Sequence, residues 1–317
     1  MSWQTSNMDH LIRSELWSKE IKDVLEDEIF AMKYVRMLQD FPDGDTINIP
    51  SIGQAEVSDY AEGQAVKYTA MDTGNFTFSI TDYIQSATYI TNKAKQDSFY
   101  MNELVSSFVP KQARAIAKAM EVDILALAPN AQTAADTNAI NGAAHRFIGS
   151  GTDEVIGVKD FAKARYALQK ANVPMTNLVA ILDPSVEYEL STLAQLVNVS
   201  NNKQWEGIVR DGMSTGMQFR FNIYGFDCYV SQNLKVNTAT ENIGTPTTAV
   251  GAVNNLFFSA APDVNPFIGS IRQSPKVDSE YNKDFQRDEY VTTSRYGFKL
   301  YRPENMVVCV TDTDQVA

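Results

Sequence analysis

Apolar residues recur at three- and four-residue intervals over two stretches of the chain, which is the pattern of amphipathic helices. The first stretch predicts a helix with one apolar stripe, made of Trp17, Ile21, Val24, Leu25, Ile29, Met32, Val35 and Leu38. The second predicts a helix from Asp97, as its N-cap, to Leu127. Because thirty helical residues span about 45 Å, this second helix is expected to act as a rod. Pro110 falls inside it and is expected either to kink it or to begin its second half.

Between these helices the pattern changes to the alternation that is typical of strands. A short strand is expected at Thr46–Ile49, and Asp72-Thr73-Gly74-Asn75 is a hairpin-turn signal. Beyond that turn, apolar residues alternate with threonine and serine, which predicts a half-exposed strand running on towards Ile90. A two-stranded loop with so little apolar surface is not expected to be stable alone, so it is predicted to lie against another surface.

From residue 158 onward the pattern predicts an alternation of helices and strands. Leu178–Leu182 is a continuous apolar run, typical of a strand that is covered on both faces. Asp183-Pro184 then supplies an N-cap and a proline at the first position of a helix. The other expected elements are a helix at Val158–Ala171 with Phe161, Ala164 and Leu168 inward, strands around Phe219–Ile223 and Phe226–Ser231 joined through Gly225, and closing strands at Tyr290–Thr293, Phe298–Tyr301 and Met306–Thr311.

Composition excludes several classes of function. Lysine and arginine total 27 against 39 aspartates and glutamates, a net charge of −12, which argues against a general nucleic-acid-binding protein. The two histidines, His10 and His145, are too few for most hydrolases and metalloenzymes, and His145, among small residues, is expected to be a solvated loop histidine. The two cysteines, Cys228 and Cys309, lack C-x-x-C spacing and predict buried thiols in a reducing compartment.

One motif resembles a catalytic site by its letters. Gly212-Met213-Ser214-Thr215-Gly216 matches the nucleophile elbow G-x-S-x-G, which needs a strand before it, a helix after it and a later histidine. A polar loop precedes it, a strand pattern follows it, and no histidine occurs beyond His145, so a loop serine is the favoured interpretation. We therefore predict no enzyme activity, no catalytic, cofactor-binding or metal-binding residue and no cofactor. No membrane partner is expected either, since no apolar run approaches eighteen residues.

The charge pattern suggests contact between copies of the chain. Region 51–92 has a net charge of −4, and region 93–127 has a net charge of +1. For any single one of these charged residues, the simpler interpretation is that its side chain is solvated on an ordinary protein surface. The under-packed loop and the rod-like helix together favour the hypothesis that the acidic loop of one copy lies over a basic helix face of its neighbour. The contact residues are expected to be Glu56, Asp59, Glu62 and Lys67 in the loop, and Lys111, Arg114 and Lys118 on the helix.

The order of these elements resembles a known family over nearly the whole chain. Four motifs carry the resemblance. The first two are the first helix with Gly44-Asp45-Thr46-Ile47-Asn48-Ile49-Pro50, and Asn172-Val173-Pro174 before Leu178–Leu182 and Asp183-Pro184. The other two are Tyr224-Gly225-Phe226-Asp227-Cys228-Tyr229-Val230-Ser231-Gln232-Asn233-Leu234, and Tyr296-Gly297-Phe298 with Arg302-Pro303-Glu304 and Val307-Val308. In this order they are similar to the major capsid protein of tailed double-stranded-DNA bacteriophages with the Hong Kong 97 (HK97) type of fold. Each motif is a packing motif, and their order and spacing carry the resemblance.

The resemblance implies an α+β, HK97-like capsid fold with an N-terminal arm, an extended β loop (E-loop), a long spine helix in a peripheral domain, and an axial domain. The implied boundaries are 1–50 for the arm and first peripheral strand, 51–81 for the E-loop, 82–150 for the peripheral domain with the spine helix, 151–289 for the axial domain, and 290–317 for returning peripheral strands.

The implied function is a major capsid protein that assembles with itself into pentamers and hexamers of an icosahedral shell, located in the virion and, during assembly, in the host cytoplasm. Implied partners are a portal protein at one vertex, a scaffolding protein and packaged double-stranded DNA bound without sequence specificity. Because the sequence starts close to the arm helix, a separate scaffolding protein is expected. An acidic subunit is also expected to leave the packaged polyanion mobile, if its inner face shares the overall sign.

Some relatives cross-link their subunits by a lysine–asparagine isopeptide bond near a glutamate. Lys67, Asn305 and Glu304 are the residues that the resemblance offers for those roles, and the alternative is that Lys67 is simply solvated. Two other functions stay open at this point: an encapsulin-like nanocompartment shell of the same fold, and a serine hydrolase using Ser214.

Overall fold

The computed structural model describes residues 30–38, 46–53, 57, 59, 61–65, 68, 73–97, 101–131, 136–192, 219–243, 248 and 250–312. Their helices and strands are β1 (Val35–Met37), β2 (Thr46–Ile52), β3 (Thr73–Ser79), β4 (Asp82–Thr91), α1 (Asn92–Asp97), α2 (Met101–Ala131), β5 (Ala139–Ile140), β6 (Ala143–Ala144), β7 (Arg146–Ile148), α3 (Val158–Lys170), β8 (Leu178–Leu182), α4 (Pro184–Thr192), β9 (Phe219–Ile223), β10 (Phe226–Val230), β11 (Val253–Ser259), β12 (Phe267–Asn282), β13 (Arg287–Leu300) and β14 (Met306–Thr311).

A six-stranded sheet with the order β7-β14-β11-β8-β10-β9 forms the larger core. β8 lies at its centre, parallel to β10 and antiparallel to β11, and all five of its residues are buried. Val179 and Ile181 pack on one face with the end of α2, whereas Ala180 and Leu182 pack on the other face with α3 and α4. The expectation of a strand covered on both faces is confirmed.

Of the two helices beside β8, α3 begins and ends close to the predicted residues, and α4 begins where it was predicted. α3 buries Phe161, Ala164 and Leu168, as the pattern predicted. α4 begins at Pro184, and the side chain of Asp183 accepts a hydrogen bond from the backbone N–H of Ser185 at 2.9 Å. This capping bond confirms the role predicted for Asp183.

A four-stranded sheet with the order β1-β12-β13-β4 carries the long helix α2. α2 runs for 31 residues, about 46 Å, and continues through Pro110 and Pro129. Ile116 and Met120 pack against Tyr296 of β13. The predicted rod is confirmed; Asp97, the predicted N-cap, lies within helix α1, and residues 98–100 lie outside the described part of the chain.

The first predicted helix does not extend to Leu38, and residues 1–29 lie outside the described part of the chain. Ala31–Tyr34 form a 3₁₀ turn, and Val35–Met37 form β1, which pairs in parallel with Phe267–Gly269 of β12. Side chains pack tightly against Gly269 here, because a Cβ at this position would clash with the Phe298 ring and lie 2.9 Å from the Val35 side chain. Strand pairing overrides the helical periodicity at this end.

Strands β2 and β3, which follow β1, form an antiparallel pair at the base of the predicted extended loop. Thr46 pairs with Ser79 and Ile52 pairs with Thr73. The predicted turn at 72–75 is wrong, since Thr73–Asn75 lie inside β3. The single strand expected towards Ile90 is interrupted at Ile80 and Thr81, after which β4 leaves the hairpin and pairs with β13.

The sheets cross the predicted domain boundary at residues 289 and 290. β12 and the first residues of β13 precede it but belong to the four-stranded sheet with β4, whereas β14 follows it but belongs to the six-stranded sheet. The reason is that β13 is one continuous strand, hydrogen-bonded on both sides, where the pattern predicted two short strands. The division into domains remains a prediction. The strands within 267–289 and 306–311 belong to sheets on the other side of the predicted boundary from their own residues.

Candidate assembly surfaces

The spine helix α2 presents a basic face to solvent. Arg114 and Lys118 are exposed and Lys111 is half-buried, so the structure places these three predicted contact residues on one accessible strip. Val122, 40% exposed, continues the strip towards the helix end. The opposite face of α2 packs on β4 and β13, which fixes the direction in which the basic strip points.

Polar contacts lock the spine helix onto the four-stranded sheet. Gln112 donates a hydrogen bond to Thr88 of β4 at 2.8 Å and accepts one from Thr292 of β13 at 2.9 Å. The hydroxyl of Tyr296 donates to Asp123 at 2.5 Å. Burial, together with this hydrogen bond, raises the pKa of Tyr296. The helix is therefore held along more than three turns of its length.

The described residues of the acidic loop make an exposed surface. Asp59 and Glu62 are exposed, as is the whole segment 61–65. Val57 is 98% exposed and Tyr68 is 91% exposed, although both are residue types that normally lose this exposure on folding. The other two predicted loop contacts, Glu56 and Lys67, lie outside the described residues, as does Ser214.

A carboxylate on the spine helix ties down the start of the described chain. Glu121 is completely buried, and its Oε2 accepts hydrogen bonds from the backbone N–H groups of Phe30 at 2.6 Å and Ala31 at 3.2 Å. Local sequence patterns do not predict this contact. The available signal was an acidic residue on the apolar stripe of the helix, beside Met120 and Ile124.

A second exposed cluster lies at the β12–β13 turn. The Arg287 guanidinium stacks 4.5 Å from the Tyr89 ring centre and 4.8 Å from that of Phe285, and Glu289 accepts a hydrogen bond from it at 2.6 Å. Tyr89 and Phe285 remain 59% and 67% exposed. Exposed aromatic surface of this kind often marks a contact between proteins.

Three of the residues considered for chemistry, His145, Cys228 and Cys309, are buried. His145 is 1% exposed, which corrects the expectation of a solvated histidine: its Nδ1 lies 3.0 Å from the Ala143 carbonyl, and its own carbonyl accepts from Val308. Burial lowers the pKa of His145. Burial also raises the pKa of both thiols, Cys228 and Cys309, which are free and buried as predicted.

Within the described residues, no group of three or more His, Cys, Asp or Glu side chains is arranged to hold a metal. Among the helices of those same residues, none combines the length and the hydropathy that crossing a membrane requires.

Asn305 is fully buried, and its amide is used within the chain. Its Oδ1 accepts from the Ser259 backbone N–H at 2.9 Å, and its Nδ2 donates to the Ser259 carbonyl at 2.8 Å and to the Val264 carbonyl. This bonding disfavours the cross-linking role that the resemblance offers for Asn305, because that reaction needs the amide to be accessible to a lysine.

Comparison with known proteins decides the family. Residues 75–309, which include the spine helix and most strands of both large sheets, match the family model described as phage capsid protein. The chain belongs to the phage capsid protein family. The resemblance read from the order of packing motifs is thereby confirmed, and the chain is a major capsid protein of the virion shell.

Solved structures agree with this capsid protein in fold. A chain from Mycobacterium phage Che8 is 18% identical, with a TM-score of 0.69 over 95% of this chain and 97% of that one. The capsid of cyanophage P-SCSP1u gives 15% identity and a TM-score of 0.67, over 97% and 94% of the two chains. The mature capsid of bacteriophage PhiM1 gives 12% identity and a TM-score of 0.69, over 97% and 94%.

At these identities the similarity establishes the fold, and it confirms the α+β, HK97-like class. No curated protein matches the capsid protein's sequence.

Proposed function

We propose that the capsid protein forms the pentamers and hexamers of an icosahedral head that encloses double-stranded DNA. A separate scaffolding protein would guide assembly in the host cytoplasm, and a portal protein would occupy one vertex. No catalytic step is part of this role, so Ser214 is proposed to be a loop residue.

The observation that carries the proposal is the exposed loop between β2 and β3. A β hairpin on its own is marginally stable, and this one leads into a segment in which Val57 and Tyr68 are almost fully exposed. Obligate assemblies commonly bury about 2,000 Å² or more at an interface, which is enough to cover such a loop with a neighbouring subunit.

We further propose that the acidic loop, with Glu56, Asp59 and Glu62, lies over the basic strip Lys111, Arg114 and Lys118 of a neighbouring copy. Its support is the accessibility of both groups where they are described, and their opposite charge. Complementary charges of this kind mainly set the register and partner of an interface, and its buried apolar contacts supply most of the affinity. Lys67 would lie at the edge of this contact.

Sedimentation velocity of the purified protein, alone and with a scaffolding protein, tests the proposed function. Capsomers or shells are expected as fast-sedimenting species, whereas a stable monomer under both conditions would contradict the proposal. Membership of the phage capsid family favours a phage head over a nanocompartment shell of the same fold. A gene next to portal and terminase genes, and not next to a cargo enzyme, is the expected genetic setting.

A further inference from the structure

The helix α3 carries an unusual distribution of charge for so acidic a protein. Its thirteen residues include four cations, Lys159, Lys163, Arg165 and Lys170, and one acid, Asp160. Asp160 is 1% exposed, and its carboxylate accepts hydrogen bonds from the backbone N–H groups of Gly157 at 2.8 Å and Ser150 at 2.9 Å. The acid is therefore used to cap the helix and does not offset the cations at its surface.

The solvent side of α3 is a single basic stripe. Its exposed residues are Lys159, Ala162, Lys163, Tyr166, Gln169 and Lys170, none of which is acidic. At 3.6 residues per turn, the three lysines and Tyr166 fall within roughly 60° of one another and extend over about 16 Å. We call these four residues the α3 stripe.

Two members of the α3 stripe are supported by aromatic rings. The Lys163 Nζ lies 4.0 Å from the ring centre of the buried Phe147, and the Lys170 Nζ lies 5.9 Å from the ring centre of Tyr166. Arg165 is turned aside, because it donates to the Tyr224 carbonyl at 2.7 Å and so fastens the β9–β10 turn to the helix. The stripe is thus built on a helix whose other faces are packed or tethered.

The residue types in the stripe favour a nucleic acid over another protein as the occupant. Lysine is depleted in protein–protein interfaces, whose cores select aromatic residues and arginine. Protein–DNA interfaces, in contrast, are strongly positive, and non-specific DNA binding rests on lysine and arginine contacts to phosphates. An arrangement of three lysines with one tyrosine at 50% exposure fits a phosphate backbone better than a protein surface.

We propose that the α3 stripe is a sequence-independent contact for the phosphate backbone of duplex DNA. This rests on the proposed function, because packaged DNA is the polyanion that the shell would enclose. It adds to that function a specific place at which the genome touches the subunit. The remaining acidic surface would leave the DNA mobile elsewhere.

The test measures binding of the unassembled, full-length protein to a labelled 30-base-pair duplex by fluorescence anisotropy, at several salt concentrations. The stripe variant is Lys159→Gln, Lys163→Gln and Lys170→Gln together. The matched control makes the same change at three exposed lysines elsewhere, Lys33, Lys93 and Lys276. A second version, with arginine at the three stripe positions, keeps the charge.

The stripe variant is expected to bind about tenfold more weakly or worse at low salt, and its salt slope is expected to fall by roughly 2.7, or 0.9 for each lost phosphate contact. The control and the arginine version are expected to bind as the wild type does. Equal losses in the stripe variant and the control, or no loss in either, would overturn the inference.

A poly-glutamate peptide of the same total charge distinguishes DNA from an acidic protein partner. Binding of this peptide that is as tight as DNA binding and is lost in the stripe variant would overturn DNA as the occupant. Shell formation is measured separately: wild-type shells with unchanged DNA binding in the stripe variant would overturn only this inference, whereas no shells from the wild type would overturn the proposed function.

Discussion

The carboxylate of Glu121, on the spine helix, accepts a hydrogen bond of 2.6 Å from the backbone N–H of Phe30, although the two residues are 91 positions apart in sequence. The same carboxylate oxygen also accepts a hydrogen bond from the backbone N–H of Ala31, so one buried side chain fixes the position of residues 30 and 31 on the spine helix. Phe30 in turn packs its ring on Tyr229, 5.7 Å between ring centres, which links the spine helix to β10 of the six-stranded sheet.

Replacing Glu121 by leucine is expected to lower the free energy of unfolding by about 1–3 kcal/mol, because two buried backbone N–H groups lose their acceptor. Denaturant unfolding of the unassembled protein measures the change. Glu62→Leu is the control, since Glu62 is exposed and a change there is expected to stay within about 0.5 kcal/mol. Equal stability of the two variants would contradict the structural role given to Glu121.

Asn305→Ala is expected to destabilise the protein by about 1–3 kcal/mol, because the backbone groups of Ser259 and Val264 lose buried partners. Asn92→Ala removes one hydrogen bond at an exposed site and is the milder control. Because the Asn305 amide is already used, wild-type particles are expected to run as a single band on denaturing gels. A ladder of bands that disappears in Asn305→Ala would show that Asn305 forms a cross-link.

His145 is expected to make the stability of the protein depend on pH below about 6.5. Its pKa is lowered in the folded state, so the unfolded chain binds more protons in that range and stability falls as the pH falls. One proton corresponds to at most about 1.4 kcal/mol per pH unit. Unfolding free energies between pH 5 and 8 are expected to show a smaller slope in His145→Asn than in the wild type.

The same substitution at the chain's other histidine, His10→Asn, controls for the loss of a histidine as such. If His145→Asn leaves the slope unchanged, the burial of His145 does not control the acid stability of the protein. The overall stability of His145→Asn is expected to be lower at every pH, since the variant loses a buried ring.

Reversing the charges of Lys111, Arg114 and Lys118 to glutamate is expected to abolish or misdirect assembly, because the strip would then repel the acidic loop of the neighbour. Sedimentation velocity measures the loss of fast-sedimenting species. Adding Glu56→Lys, Asp59→Lys and Glu62→Lys to the same chain is expected to restore assembly in part. Normal assembly of the triple-glutamate variant would exclude this pairing.

Elements whose residues are neighbours in sequence were predictable, because local patterns decide them. β8 followed from a continuous apolar run and α4 from the Asp183-Pro184 start signal, and the β9–β10 turn followed from Gly225, which has a φ of +84°. The basic strip of the spine helix was likewise readable from the spacing of its lysines and arginine.

Features that depend on distant pairing were not predictable from local patterns. The turn signal at 72–75 is overridden because Thr73, Gly74 and Asn75 pair with the strand that begins at Thr46. The sequence of β14 has the apolar pattern of any buried strand and does not show which sheet it joins. Its pairing with β11 and β7 places it in the six-stranded sheet. His145 is buried because it lies between the Ala143 carbonyl and β14, a contact that the composition of its own segment does not reveal.

Electron microscopy of the protein expressed with a scaffolding protein tests the central claim most directly. Closed polyhedral shells built of pentamers and hexamers, with the loop of each subunit resting on its neighbour, are the predicted result. Uniform monomers, or open aggregates without five-fold vertices, would contradict the account.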